Sequence, residues 1–195
     1  MIIGVSGYAR SGKDTVADIL VNYLGYIKIS WADKLRECLY ALNPIVLWDK
    51  RVEKVYPNIL DYMPLQWVID TYGWDGYKST GWYSHIRIML QRFGTEVGRE
   101  IINDNIWVDL GLKNLDTDKN YVIPDTRFLN EADAIRDHQG LVFRVNRNGI
   151  QPVNDHVSEI GLDDYPFDVV FKNDDSIEDL REKVLEYVET QTKNW

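Results

Sequence analysis

The chain is poor in the residues that most often build metal or redox sites: it has one cysteine and three histidines in 195 residues. A lone cysteine forms no internal disulfide, and Cys38 has no partner at zinc spacing, so a buried packing role is expected for it. His85 and His138 lack metal-site spacing as well. No apolar run is long enough to cross a bilayer. The apolar start at Met1–Val5 has neither a basic leader nor a small-residue cleavage site, so a cytoplasmic protein without membrane attachment is expected. Positive charge is also short, with 22 Lys and Arg against 31 Asp and Glu and a net charge of -9. Such a chain repels polyanions, which argues against stable nucleic-acid binding. There is no internal repeat, low-complexity run or interdomain linker.

What remains is an ordinary globular composition, 45% hydrophobic, suited to one domain over residues 1–195. Short apolar runs at Met1–Val5, Tyr26–Ile29, Tyr121–Ile123, Leu141–Val145 and Val169–Phe171 alternate with segments of helical period. That order predicts a parallel sheet with helices on both faces. Val16, Ala17, Ile19, Leu20, Tyr23 and Leu24 form the apolar stripe of the first helix, which Gly25 ends. Ile177, Leu180, Val184, Leu185 and Val188 form that of the last, entered through Ser176. Between them, residues 43–83 carry three prolines and the tryptophans Trp48, Trp67, Trp74 and Trp82. This segment reads as an insertion of short helices and loops, either walling a bound base or forming a small core of its own.

The scarce cations are grouped, Arg87, Arg92 and Arg99 in one stretch and Arg127, Arg144 and Arg147 in another. They accompany a phosphate-loop pattern at Gly7-Tyr8-Ala9-Arg10-Ser11-Gly12-Lys13-Asp14-Thr15, set between the first apolar run and the first helix. Gly7 and Gly12 let the backbone N–H groups converge, and a solvated Lys13 would direct its charge to the β and γ phosphates of a nucleotide. Asp14 stands where Ser or Thr is usual after the lysine, and Thr15 follows it.

The displaced threonine resembles the loop of nucleoside monophosphate kinases. Ser6-Gly7 through Thr15 is most similar to the S-G-x-x-x-S-G-K-D-T loop of bacteriophage deoxynucleoside monophosphate kinases. Ile29 to Arg36 resembles the adenylate kinase segment I-S-T-G-D-M-L-R, with Trp31 and Ala32 departing from it. Leu90 to Arg99 resembles the phage signature L-Q-x-x-G-T-E-x-x-R, and Asp125 to Glu131 resembles D-x-R-F-x-N-E. His156-x-Ser158-Glu159 also recurs in that family, where helix capping is the preferred reading.

The resemblance implies a three-layer P-loop NTPase fold of nucleoside monophosphate kinase type, with a five-stranded parallel sheet, the inserted segment at about 43–83 and a short lid near 147–158. It implies ATP as phosphate donor, Mg²⁺ as its counterion and a deoxynucleoside monophosphate as acceptor. Gly7, Ser11, Gly12, Lys13, Asp14 and Thr15 would hold ATP, with Asp14, Thr15 and Asp125 at the metal, directly or through water. Lys13, Arg10, Asp125, Arg127 and Arg147 would act on the transferring group, Arg147 from the lid. Ser30, Asp33, Arg36, Arg87, Gln91, Arg99, Arg127 and Glu131 would bind the acceptor. Ser30 and Asp33 also have the spacing of an N-cap and its partner. Residues Ile86 to Ile101 read as one long helix with Ile86, Leu90, Phe93, Val97 and Ile101 on its apolar stripe. Its glycines Gly94 and Gly98 allow either close approach of a substrate, which the resemblance favours, or close packing against another helix. A kinase of phosphomevalonate or dephospho-coenzyme A type, or an ATP-sensing module without transfer, is the alternative. A homodimer is left open, and the host cytoplasm is the expected location if a phage encodes the chain.

Overall fold

A computed structural model describes residues 1–52, 60–152 and 160–192. The chain forms two compact units, residues 1–31 with 111–195, and residues 32–110.

In the first unit, β1 (Ile2–Ser6), β2 (Ile27–Lys28), β5 (Tyr121–Ile123), β6 (Leu141–Asn146) and β7 (Val169–Lys172) make a five-stranded sheet in the order β2-β5-β1-β6-β7. All its pairings are parallel, with Ile3 opposite Val122 and Gly4 opposite Val142. The central strands are continuous apolar runs because both faces are covered. Ile3, Val5, Phe143 and Val145 join Val16 and Leu20 of α1 (Lys13–Leu24) and Leu180, Val184 and Val188 of α7 (Ile177–Thr192) in one core. On the opposite face Gly4 lies under α6 (Leu129–Asp137), so close that a Cβ there would collide with Ile135 Cδ1. The expected three-layer architecture follows. Gly25 ends α1 in the left-handed region, its N–H reaching back to the carbonyls of the last turn. Ser176 and Asp179 exchange side-chain and backbone hydrogen bonds at the start of α7.

Two stripe residues depart from expectation. Tyr23 is 55% exposed and takes a hydrogen bond and a stacked guanidinium from Arg181. Ile177 is also exposed, since it lies in the first turn of α7 ahead of the covered stripe.

The second unit contains α2 (Asp33–Leu42), an antiparallel pair of β3 (Ile45–Leu47) and β4 (Tyr62–Pro64), α3 (Leu65–Gly76) and α4 (Tyr83–Arg92). The strand pair was not expected, because runs this short carry no alternating signal. Trp48 and Trp82 meet edge to face at 5.0 Å among Leu39, Val46, Leu65, Val68 and Ile86. These two tryptophans therefore serve a small core. Cys38 is exposed rather than buried, since it falls off the Leu35–Leu39 stripe of α2.

The predicted long helix changes pitch. After α4 the chain continues as a π-helical stretch, Phe93–Ile102, with Asn103 N–H donating to the Gly98 carbonyl at 2.9 Å. Wider turns rotate the later residues, leaving Ile101 76% exposed and Arg99 buried. Trp107 of α5 (Ile106–Leu112) causes the close approach: its indole fills the space a Gly98 side chain would need. Its Nε1 donates to the Gly94 carbonyl at 2.8 Å, and Leu35 lies against Gly94. The glycine pair thus admits a neighbouring helix and side chains, the close packing that the sequence left open.

Candidate active site

The phosphate loop joins β1 to α1 at the carboxyl edge of the sheet, where ligands of such folds bind. Gly7 and Gly12 have φ of 147° and 108°, and Arg10 has a φ of 68°. The loop is seated tightly from behind, since a Cβ on Gly7 would strike the Val145 carbonyl and one on Gly12 would strike Asn173 Nδ2. Asn173 Nδ2 donates to the Ser11 carbonyl at 2.8 Å. Lys13 is buried at 9% exposure, in place of the expected solvated side chain, and its Nζ donates to the Tyr8 carbonyl at 2.9 Å. Ser11 Oγ is buried without a hydrogen-bond partner among the described residues. A hydroxyl and an ammonium so placed suit the oxygens of a phosphate. A cavity of about 530 Å³ opens beside the loop, with Tyr8, Ser11, Arg144, Arg147 and Phe167 in its lining, a size suited to a small molecule.

Asp14 pairs with Lys28 Nζ at 3.3 Å and is 80% exposed; Asp18 shares the same ammonium at 3.0 Å. A lysine therefore offsets the negative charge that the loop carries after Lys13. Arg10 is exposed, Thr15 half-buried, and Arg147 exposed beyond the end of β6. The expected lid lies partly outside the described residues, as do His156, Ser158 and Glu159.

At the tip of β5, Asp125 accepts hydrogen bonds from Ser30 Oγ at 2.5 Å and from the Trp31 N–H at 3.1 Å. Trp31 Nε1 reaches Thr126 Oγ1 at 3.3 Å, and its ring lies against Gly111. Ser30 is thus bound to Asp125, and the N-cap residue of α2 is Ala32. Glu131 is buried, and one carboxylate oxygen accepts the N–H groups of Arg127 and Phe128 at 2.8 and 3.1 Å. It caps α6, which places Arg127 at that helix's entry.

In the second unit Arg36 reaches Asp33 at 3.3 Å and lies 5.9 Å from the centre of the Trp74 ring. Arg87 is exposed, donates to Tyr83 Oη at 2.9 Å and lies over that ring. Burial raises the Tyr77 phenol pKa, and the charges of Arg36 and Arg87 partly counter that rise. The two guanidiniums therefore flank one aromatic cluster. Arg99 is turned inward, with Nη1 donating to the Asp104 carbonyl at 2.9 Å, while Gln91 is exposed.

Sequence reasoning passed over Tyr8, Lys28, Asp163 and Asn173, and set Arg144 aside in favour of Arg147. A cation inside the apolar strand Leu141–Val145 was the available signal for Arg144. The others carry no local pattern. His85 Nδ1 accepts the Leu47 N–H at 2.9 Å, and the described residues contain no cluster of three or more His, Cys, Asp or Glu able to hold a metal ion. No described helix is long and apolar enough to cross a membrane.

The sequence profile of the family described as Deoxynucleotide monophosphate kinase matches residues 77–184. A chain of Acanthamoeba polyphaga mimivirus, provisionally named for the same activity, is 30% identical and aligns over 99% of this chain and 98% of its own. The deoxynucleotide monophosphate kinase of Escherichia phage RB69 is 27% identical, over 94% of this chain and 97% of its own. Among solved structures, the dephospho-CoA kinase from Campylobacter jejuni superposes with a TM-score of 0.52 at 15% identity, covering 99% of this chain and 98% of that one. The last likeness concerns the fold.

Proposed function

This chain belongs to the deoxynucleotide monophosphate kinase family, and on that footing we propose that it transfers the γ-phosphate of ATP to a deoxynucleoside 5′-monophosphate, giving ADP and the diphosphate used in DNA synthesis. The observation that carries this reading is the loop itself, with Lys13 Nζ on the Tyr8 carbonyl and the buried Ser11 hydroxyl still to be satisfied. Both groups gain partners when phosphate oxygens enter.

The acceptor is already a phosphate, largely dianionic at neutral pH with a second pKa of about 6, so no general base is required. Asp125 accordingly serves as a joint that fixes the Ser30–Trp31 segment. Catalysis rests on placement and charge neutralisation by Lys13, Arg10, Arg127 and Arg147 around the transferring group. Arg36, Arg87, Gln91 and Arg99, with Ser30, Asp33, Arg127 and Glu131, are assigned to the acceptor. Arg99 and Glu131 act there by shaping the backbone, since both side chains are turned inward. Thr15 and Asp125, with Asp14 more weakly, are the residues that would hold Mg²⁺, directly or through water. Bound there, the ion would neutralise charge on the phosphates. The segment 43–83 is read as an insertion within a single kinase domain, residues 147–158 as its lid, and the host cytoplasm as its place of action.

An ADP-release assay with ATP and each of the four common deoxynucleoside monophosphates, phosphomevalonate and dephospho-coenzyme A tests the proposal. Turnover with one or more deoxynucleotides and none with the last two is the expected result. ATP binding without acceptor-dependent turnover would instead mark an ATP-sensing module.

A further inference from the structure

Beside the phosphate loop a ring of side chains closes on itself. Tyr8 Oη donates to Asp163 Oδ2 at 2.7 Å, and Arg144 Nη2 donates to Asp163 Oδ1 at 2.8 Å. The Arg144 guanidinium in turn lies 4.6 Å from the centre of the Tyr8 ring, with Phe167 on it at 5.6 Å. Its Nε donates to Asn146 Oδ1 at 3.2 Å, and its Nη1 reaches Ser6 Oγ at 3.5 Å. The Arg144 side chain is 8% exposed and that of Asp163 is 34% exposed. A guanidinium so far removed from water is tolerated because carboxylate, amide oxygen and rings surround it.

The ring grips the loop at one residue. The Tyr8 side chain is held by Asp163 and Arg144, while the Tyr8 carbonyl accepts both Lys13 Nζ at 2.9 Å and the Ser11 N–H at 3.1 Å. Moving Tyr8 therefore moves the oxygen on which the loop lysine rests. The glycines on either side provide no stiffness of their own, since their backbone freedom is what admits the fold of the loop. Burial and the Asp163 bond raise the Tyr8 phenol pKa, so the hydroxyl stays a donor throughout the neutral range.

We propose that Tyr8, Asp163 and Arg144 form a latch that holds the phosphate loop ready for its donor nucleotide, making all three positioning residues. The inference rests on reading the loop as an ATP site. Without the latch the loop samples other conformations, and apparent affinity falls by the fraction that stays competent.

Hydrogen exchange on the nucleotide-free protein and steady-state kinetics of the full chain test it together. Tyr8→Phe keeps the ring and loses the bond to Asp163. It should speed amide exchange over residues 8–13 and raise the KM for ATP by about 10-fold, the equivalent of about 1.4 kcal/mol. The KM for the deoxynucleoside monophosphate and kcat should each change by less than about 2-fold, because the latch acts before the chemical step. Asp163→Ala should match Tyr8→Phe or exceed it, Asp163→Asn should recover part of the loss, and the double variant Tyr8→Phe/Asp163→Ala should be no worse than Asp163→Ala. Faster loop exchange in a protein whose wild type binds no ATP would leave the latch standing and overturn the donor reading. Normal loop exchange and an unchanged KM for ATP, in a wild type that binds ATP, would overturn the latch. A fall in kcat with faster exchange throughout the sheet would reduce the ring to scaffolding and overturn it too.

Discussion

The two units treat their charges differently. In the sheet unit three charged side chains are committed to internal partners: Asp125 to Ser30 and Trp31, Glu131 to two backbone amides, Arg144 to Asp163. In the helical unit Arg36 and Arg87 rest on aromatic rings at 5.9 Å each, with Arg36 in one partly exposed ion pair. A charge-assisted hydrogen bond contributes about 1.5–3 kcal/mol, against about 0.5–1 kcal/mol for an exposed cation–π contact. Substitutions in the first group therefore mix folding with function, whereas the two guanidiniums of the second can be removed at little cost to the fold. Arg99, buried against Asp104, and Asp49, which accepts from Arg51 and Ser84, depart from that pattern.

The largest effect is expected at Lys13 of the sheet unit, whose Nζ donates to the Tyr8 carbonyl. Lys13→Ala should lower phosphoryl transfer by about 10²–10³-fold, as for loss of one transition-state electrostatic donor, with circular dichroism unchanged. Near-normal turnover would remove the loop from the mechanism. Arg36→Ala comes next, raising the KM for the monophosphate by roughly 10-fold to 150-fold while calorimetric ATP affinity and Tm stay close to wild type. Equal loss for both ligands would move Arg36 into the donor site and break the contrast between the units.

Asp125→Asn sharpens the contrast from the other side. Loss of a half-buried charged acceptor, at about 1–3 kcal/mol, should lower Tm by about 2–10 °C in a chain of this size, together with the rate. The acceptor-saturated pH profile should keep its shape; a vanished basic limb would reinstate a general base. Lys28→Ala should have the smallest consequence, below about 1 kcal/mol for a half-exposed pair that salt screens. Burial alone would lower the Lys28 pKa, but the Asp18 hydrogen bond and the charges of Asp14 and Asp18 raise it. Its contribution is therefore present below the unfolded lysine value of about 10.4 and lost as pH rises through the folded one. A denaturation series in pH and salt, wild type against Lys28→Ala, reads both signs.

Local spacing determined by itself the glycine-framed loop with its lysine, the five apolar runs, the Gly25 stop and the Ser176 entry, because these depend on backbone torsions and contacts within about one turn. Tertiary structure alone decided that Ser30 bonds Asp125 across 95 residues. It alone joined Tyr8 to Asp163 across 155 residues. It also set Trp107 against Gly98, where the π-helical turns bury Arg99 and expose Ile101. Those partners meet only when separate elements pack, and a side chain's nearest neighbour is then set by the packing of those elements, which no interval along the chain records.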